Sequence, residues 1–231
     1  MRKVAVFVEG LTEQELVVEL VSAVVGTRGV NVVLGRQWKG KVEIQPSVID
    51  AAIDFLVLVV DCSGDEQVVT QIREQYPSLI SSGYTAIIGL RDVYPFTHAD
   101  IPAIRAGLLR TLPSGTVNPE VHLAIMEVEA WFLAEATHFS RVHPSLTVQF
   151  IVAGGIDVIG IKGDAWGHPA KVLHSIYKLA GLSYMSPNGK KKKRRVQRTL
   201  RALSPEELYV TVRGTMPSFD AFVRSLEAAL F

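Results

Sequence analysis

Residues 4–13, V-A-V-F-V-E-G-L-T-E, constrain this chain more than any other stretch. A run of β-branched and apolar residues stops at a carboxylate, Glu9, and Gly10 follows at once. Apolar residues then return at helical spacing, as Leu16, Val17, Leu20, Val21 and Val24, up to Gly26. An almost uninterrupted apolar strand predicts burial on both faces, the environment of a parallel sheet covered by helices. Thr12, with Glu15 three residues on, predicts a capping box at the helix start. Strand, acidic tip, glycine turn and helix in this order place a charge at the carboxyl edge of an α/β sheet.

The pattern recurs along the chain. Residues 30–34 predict a second strand, and residues 35–45, with Arg36, Lys39 and Lys41 around Trp38, a loop or an edge hairpin. Residues 47–54 predict a short helix. Residues 55–60, the most strand-like run, end at Asp61; residues 65–76 predict a helix that Pro77 stops. Residues 84–90 form the next strand pattern and end at Arg91-Asp92. Residues 101–112 predict a helix with Asp100 as cap and Pro102 in its first turn. Residues 121–126 suit a fifth strand or a helix start. This alternation predicts an open, mostly parallel Rossmann-like sheet flanked by helices over residues 1–136. Residues 137–231 change character and predict a mainly helical appendage packed on the sheet. It comprises an irregular stretch at 138–163, an amphipathic helix at 169–180, a turn at 186–189, a short helix capped by Ser204, and a closing amphipathic helix at 217–231.

Charge is balanced, with 24 Lys and Arg against 23 Asp and Glu, so no global field selects a partner and any preference must come from local clusters. The unbroken run Lys190, Lys191, Lys192, Lys193, Arg194 and Arg195, continued at helical spacing by Arg198 and Arg201, is such a cluster. It predicts either a salt-sensitive contact with a nucleic-acid backbone or a solvated helix face. A single cysteine, Cys62, excludes an intrachain disulfide framework and suits a reducing compartment. Glu9 and Glu13 interrupt the first apolar run before a signal-peptide core could form, and no segment approaches the roughly 20 apolar residues of a membrane span. Together these predict a soluble, cytoplasmic protein with no membrane partner. The six histidines show neither H-x-x-x-H nor H-E-x-x-H spacing, which argues against zinc. No G-K-[ST] follows the glycines, so there is no P-loop. Cys62 lacks a histidine pattern that would make it a nucleophile, and Trp131 and Phe132 are core candidates.

The acids Glu9, Glu13, Asp61, Asp65, Asp92, Glu127 and Glu129 lie at or just beyond strand-like runs. Parallel strands present their carboxyl ends on one edge, so acids far apart in sequence can converge there. Clustered carboxylates repel one another unless a cation is bound. Mg²⁺ takes oxygen ligands and commonly uses one or two carboxylates plus substrate phosphates. The alternative is that each acid only caps a helix turn in solvent.

V-E-G-L-T-E followed by strand-terminal aspartates resembles the Toprim superfamily, the topoisomerase–primase domains and OLD-family nucleases. M-E-V-E-A-W-F-L-A-E at 126–135 resembles the E-x-E-A-W segment of a small stand-alone bacterial Toprim-like family of unknown function. P-x-K-x-L at 169–173 and P-S-F at 217–219 are similar to later segments of that family. The resemblance implies that Glu9 is the general acid/base, that Asp61 and Asp92 bind Mg²⁺ (or Mn²⁺), and that Glu13 is an auxiliary acid. It also implies a nuclease or phosphodiester-transfer activity on nucleic acid, held by the basic run, in bacterial defence against mobile DNA and alongside an ATPase partner. The chain departs from the superfamily's D-x-D pair: Asp61 precedes Cys62-Ser63, and Asp92 precedes Val93-Tyr94. Asp65, Glu127 or Glu129 would supply the missing ligand. Failing that, the fold would be a catalytically silent module that binds nucleic acid or a partner.

Overall fold

Strand β1 (Arg2–Val8) carries Val4, Ala5, Val6, Phe7 and Val8, none of which retains any exposed surface. Such a strand needs hydrogen-bonding partners on both sides and apolar cover on both faces. The computed structural model, which describes residues 1–38, 41–45, 53–64, 67–160 and 163–231, supplies both. Helix α1 (Leu11–Val25) follows β1, then strands β2 (Val30–Trp38), β3 (Lys41–Ile44) and β4 (Phe55–Asp61), helix α2 (Gln67–Ser81), β5 (Ala86–Asp92), α3 (Ile101–Thr111) and β6 (Glu120–Ala124). Among the described residues these strands make one mixed, mostly parallel sheet in the order β3-β2-β4-β1-β5-β6. β1 runs parallel to β4 on one side and to β5 on the other, while β2 and β3 form an antiparallel edge hairpin.

The chain separates into two compact units. The first comprises residues 1–92, 99–123 and 221–231; the second comprises 93–98 and 124–220. In the first unit, Ala5 and Phe7 of β1 pack with Leu56, Leu58 and Val60 of β4 and with Val68, Ile72 and Leu79 of α2. Alternation along a strand turns Val4, Val6 and Val8 to the opposite face. From β1 the chain crosses to β2 on one side, and from β4 it crosses back over β1 to β5. Right-handed crossovers in opposite directions put α1 and α2 on opposite faces.

Several local expectations are corrected. α1 starts at Leu11 with Gly10 as N-cap and no side-chain cap bond, so Thr12 and Glu15 form no capping box. Thr12 is buried in the first turn instead. Pro77 does not stop α2, which runs on to Ser81. Burial of Leu79 in the stripe begun by Val68 and Ile72 holds the last turn despite the missing N–H. Asp100 precedes α3 without a side-chain cap bond. Residues 138–163 are not simply irregular, for they contain two short helices. The helix expected at 47–54 falls largely outside the described residues.

The second unit is helical: α4 (Glu129–Ala134), α5 (His138–Val142), α6 (Val148–Ala153), α7 (Pro169–Leu179), α8 (Gly189–Ala202), α9 (Pro205–Glu207), a π-helical turn at Leu208–Val212, and α10 (Arg213–Thr215). The closing helix α11 (Pro217–Leu230) begins in this unit and ends in the first. Thr147, Asn188 and Ser204 each cap a helix by accepting a backbone N–H, from Phe150, Lys191 and Glu207 respectively. No helix among the described residues is long and apolar enough to cross a membrane.

Of the two described glycines within the strands, Gly35 and Gly89, Gly89 of β5 is the more closely enclosed. A Cβ there would lie 2.8 Å from Val121 Cγ2 and 3.1 Å from Ile72 Cδ1. The Val121 methyl is attached directly to its Cβ, and a β-branched side chain is stiff at χ1, so it cannot simply swing away. Gly89→Ala is expected to destabilise the protein by about 1–3 kcal/mol, read as a lower urea midpoint with an unchanged slope.

Candidate functional site

The chain leaves β1 and β4 in opposite directions, so these adjacent strands mark the switch point where an open α/β sheet forms a crevice outside its carboxyl ends. Two acids stand at its lip. Asp61 is the last residue of β4 and pairs in register with Val8; Glu9 is the residue after Val8. On the other side of β1, Leu90 pairs with Val8, and Asp92 lies two residues further along β5. Glu9, Asp61 and Asp92 therefore follow three neighbouring strands at one edge. Glu13 joins them from the first turn of α1.

Backbone contacts bind the tips together. Cys62 donates its N–H to Val8 O and Gly64 donates to Glu9 O, both at 2.9 Å. The Asp92 N–H donates to Glu9 Oε2 at 3.2 Å, so the amide of one acid orients the carboxylate of another. Asp61 Oδ1 accepts the Ser63 N–H at 2.8 Å. Ser63 adopts φ 60°, an uncommon left-handed conformation for a residue with a side chain. Asp61 Oδ2 faces Arg36 Nε at 3.7 Å, because Arg36 is its register partner on β2. The Arg36 side chain is largely exposed, so that pair adds little stability. Gln14 of α1 donates from Nε2 to both Gly35 O and Val59 O at 2.9 Å, tying the helix start to the ends of β2 and β4. Glu13 is buried beside it, with Oε2 close enough to Gly10 to meet a Cβ there at 3.4 Å. Burial and neighbouring Asp61 hold the Cys62 thiol protonated, far above the ordinary range, so it is no nucleophile.

Of the other acids singled out in the sequence, Asp65 lies outside the described residues. Glu127 and Glu129 belong to the second unit. Glu127 Oε2 accepts the N–H of Ala170 at 2.8 Å, in the first turn of α7. Glu129 is buried and accepts the Tyr184 hydroxyl at 2.6 Å. Desolvation pushes its pKa up to about 7; the Tyr184 bond and Lys192 oppose the rise, and Glu127 reinforces it. Trp131 and Phe132 are core residues, fully buried as expected. Trp131 Nε1 donates to Ser218 Oγ at 2.9 Å, and Ser218 Oγ donates to Asp164 Oδ1 at 2.5 Å. The E-A-W and P-S-F segments thus meet through one buried serine. Lys190 to Arg194 are exposed on the first turns of α8.

Gln14, Ser63 and Tyr184 support these acids, and the sequence analysis did not single them out. The only sequence signal is position, Gln14 five residues and Ser63 two residues beyond a strand-end acid. Nothing local marks Tyr184. Among the described residues, no group of three or more His, Cys, Asp or Glu side chains is placed to hold a metal ion. The carboxylates of Glu9, Asp61 and Asp92 are nonetheless the donor type that Mg²⁺ and Mn²⁺ take, and one or two such donors suffice where substrate phosphates supply the rest. No family model, no curated protein and no solved structure matches this chain.

The buried Glu129 makes a pH prediction. Its folded pKa lies above its unfolded value of about 4.5, so its stabilising contribution is complete below 4.5 and is lost as the pH rises through about 7. His138 has the opposite sign: burial pushes its pKa down to about 4, so it costs stability as the pH falls below its unfolded value of 6.5. Glu129→Gln keeps an oxygen for Tyr184 and removes only the first effect. Relative to wild type, the variant should gain roughly 2–3 kcal/mol between about pH 5 and about pH 8 in urea unfolding. An equal difference at both pH values would show that Glu129 is not desolvated.

Proposed function

We propose that the carboxyl edge formed by β4, β1 and β5 is the working edge of a Toprim-like, Mg²⁺-dependent protein that cleaves or transfers phosphodiesters in nucleic acid. The observation that carries this reading is the placement of Glu9, Asp61 and Asp92 after three adjacent strands at a switch point, with the Asp92 amide on the Glu9 carboxylate. Glu9 is the general acid/base. The Asp92 N–H holds Oε2, so the carboxylate meets the scissile group in one orientation. Asp61 and Asp92 would hold Mg²⁺ or Mn²⁺, with Glu13 behind them as an auxiliary acid. When bound, the ion neutralises charge that develops on the phosphate. The lysines and arginines of α8 hold the backbone of the substrate. Bacterial defence against mobile DNA, alongside an ATPase partner, is the setting the family resemblance implies. Glu9→Gln is expected to lower a Mg²⁺-dependent nuclease rate by about 100-fold or more, with an unchanged circular-dichroism spectrum and melting temperature. Full activity in that variant would remove Glu9 from the chemistry.

A second reading is favoured by Asp61 itself. Where the superfamily's D-x-D pair has its second acid, this chain has Ser63, whose N–H occupies Asp61 Oδ1, while Arg36 faces Oδ2. A carboxylate so engaged suits a catalytically silent module that binds nucleic acid or a partner. Calorimetric titration separates the two readings. Mg²⁺ or Mn²⁺ binding at millimolar concentration, weakened by Asp61→Asn, is the outcome expected of the enzyme; heat-silent titrations are expected of the silent module.

A further inference from the structure

Helix α8 is an unusual place to put charge. Its sequence, G-K-K-K-K-R-R-V-Q-R-T-L-R-A, contains no acid, and Lys190 to Arg194 are all exposed on its first turns. Cations at a helix N-terminus oppose the macrodipole, which favours anions there and cations at the other end. Such an arrangement is relieved by an anionic partner. The run is also divided in its duties. Arg195 donates to the Met185 carbonyl, while Arg198 donates to Ser183 O at 2.8 Å and lies 5.2 Å over the Tyr177 ring. These two guanidiniums hold the helix to its own unit; the five residues before them, Lys190 to Arg194, are exposed.

An amphipathic helix that binds an acidic membrane needs an exposed apolar face beside its cations. The apolar residues of α8, Val196 and Leu200, are buried, and its exposed turns carry none. The charge therefore suits a phosphate backbone. The aromatic side chains this unit displays include two on one segment. Tyr94 and Phe96, on the segment after β5, are 37% and 40% exposed. The Tyr94 ring meets the edge of His168 at 5.4 Å, at the residue before α7. From there a series of neighbours leads towards α8 within this unit. Ala170 bonds to Glu127, and the adjacent Glu129 lies close enough to Lys192 for that charge to favour its ionised form. Exposed aromatic rings in the same unit as a basic helix fit unpaired bases, which stack on such rings; the bases of a duplex are not accessible in that way.

We propose that the second unit binds single-stranded nucleic acid, with phosphates on Lys190–Arg194 of α8 and bases stacked on Tyr94 and Phe96. This rests on the nucleic-acid part of the reading above and not on its catalytic part.

The test measures binding of a fluorescein-labelled oligo-dT by the full chain in EDTA, so that loss of cleavage and loss of binding stay distinct. Replacing Lys190, Lys191 and Lys192 with alanine should flatten the slope of log affinity against log salt by about 2, at roughly 0.7 per neutralised charge for single strands. Tyr94→Ala should weaken binding roughly 5-fold or more, and Tyr94→Phe, which keeps the ring, should restore it. Thermal melting checks that each variant is folded. An unchanged salt slope in the triple variant would overturn the role of α8. Equal binding by Tyr94→Ala, or a duplex of the same length bound as tightly as the single strand, would overturn the assignment of unpaired bases.

Discussion

The first unit depends on the parallel pairing of β1 with β4 and β5. β1 is apolar on both faces, so it is stable only where its amides and carbonyls are taken up by neighbouring strands and helices cover it above and below. That requirement puts it inside the sheet. Once it is there, the residue that ends it stands between the ends of two other strands. Glu9 owes its neighbours Asp61 and Asp92 to hydrophobic burial that involves none of the three carboxylates.

Gathering acids at one edge carries an electrostatic cost, and the local structure shows how it is met. Each carboxylate with a described contact accepts a backbone N–H, Glu9 from Asp92 and Asp61 from Ser63. Ser63, the donor to Asp61, holds φ 60°, a conformation that costs a residue with a side chain about 1 kcal/mol. Gln14, buried and bonded to the carbonyls of Gly35 and Val59, keeps the start of α1 against the strand ends. The edge is therefore built from backbone groups that orient side chains, the kind of support a preorganised site needs.

The second unit is held by a different logic. Its interior includes polar side chains that must find partners because water is excluded. His138 sits between the Glu135 carbonyl and the Tyr177 hydroxyl, and Tyr177 reaches Thr199 on α8. Trp131, Ser218 and Asp164 form a second chain, and Glu129 with Tyr184 a third. These pairings join segments dozens of residues apart. The basic helix is anchored through the same interior, since Thr199, Val196 and Leu200 are buried there while the lysines before them remain outside.

Where one residue's surroundings are local in sequence, the sequence was enough to determine them. The buried strand at residues 4–8, the strand ending at Asp61, the cap at Ser204 and the core positions of Trp131 and Phe132 all follow from periodicity, propensity and capping chemistry. Local signals misled where burial outweighed them: Thr12 went into the first turn of α1 and did not cap it, and Leu79 carried α2 past Pro77. Strand order was decided only by the tertiary structure, because pairing between distant strands depends on which faces find apolar cover. That order set Glu9 beside Asp61 and Asp92 and placed Arg36 opposite Asp61; Glu127 and Glu129 find Ala170 and Tyr184 within the second unit. A chain read residue by residue holds the acids; the crossing directions of its helices decide which of them meet.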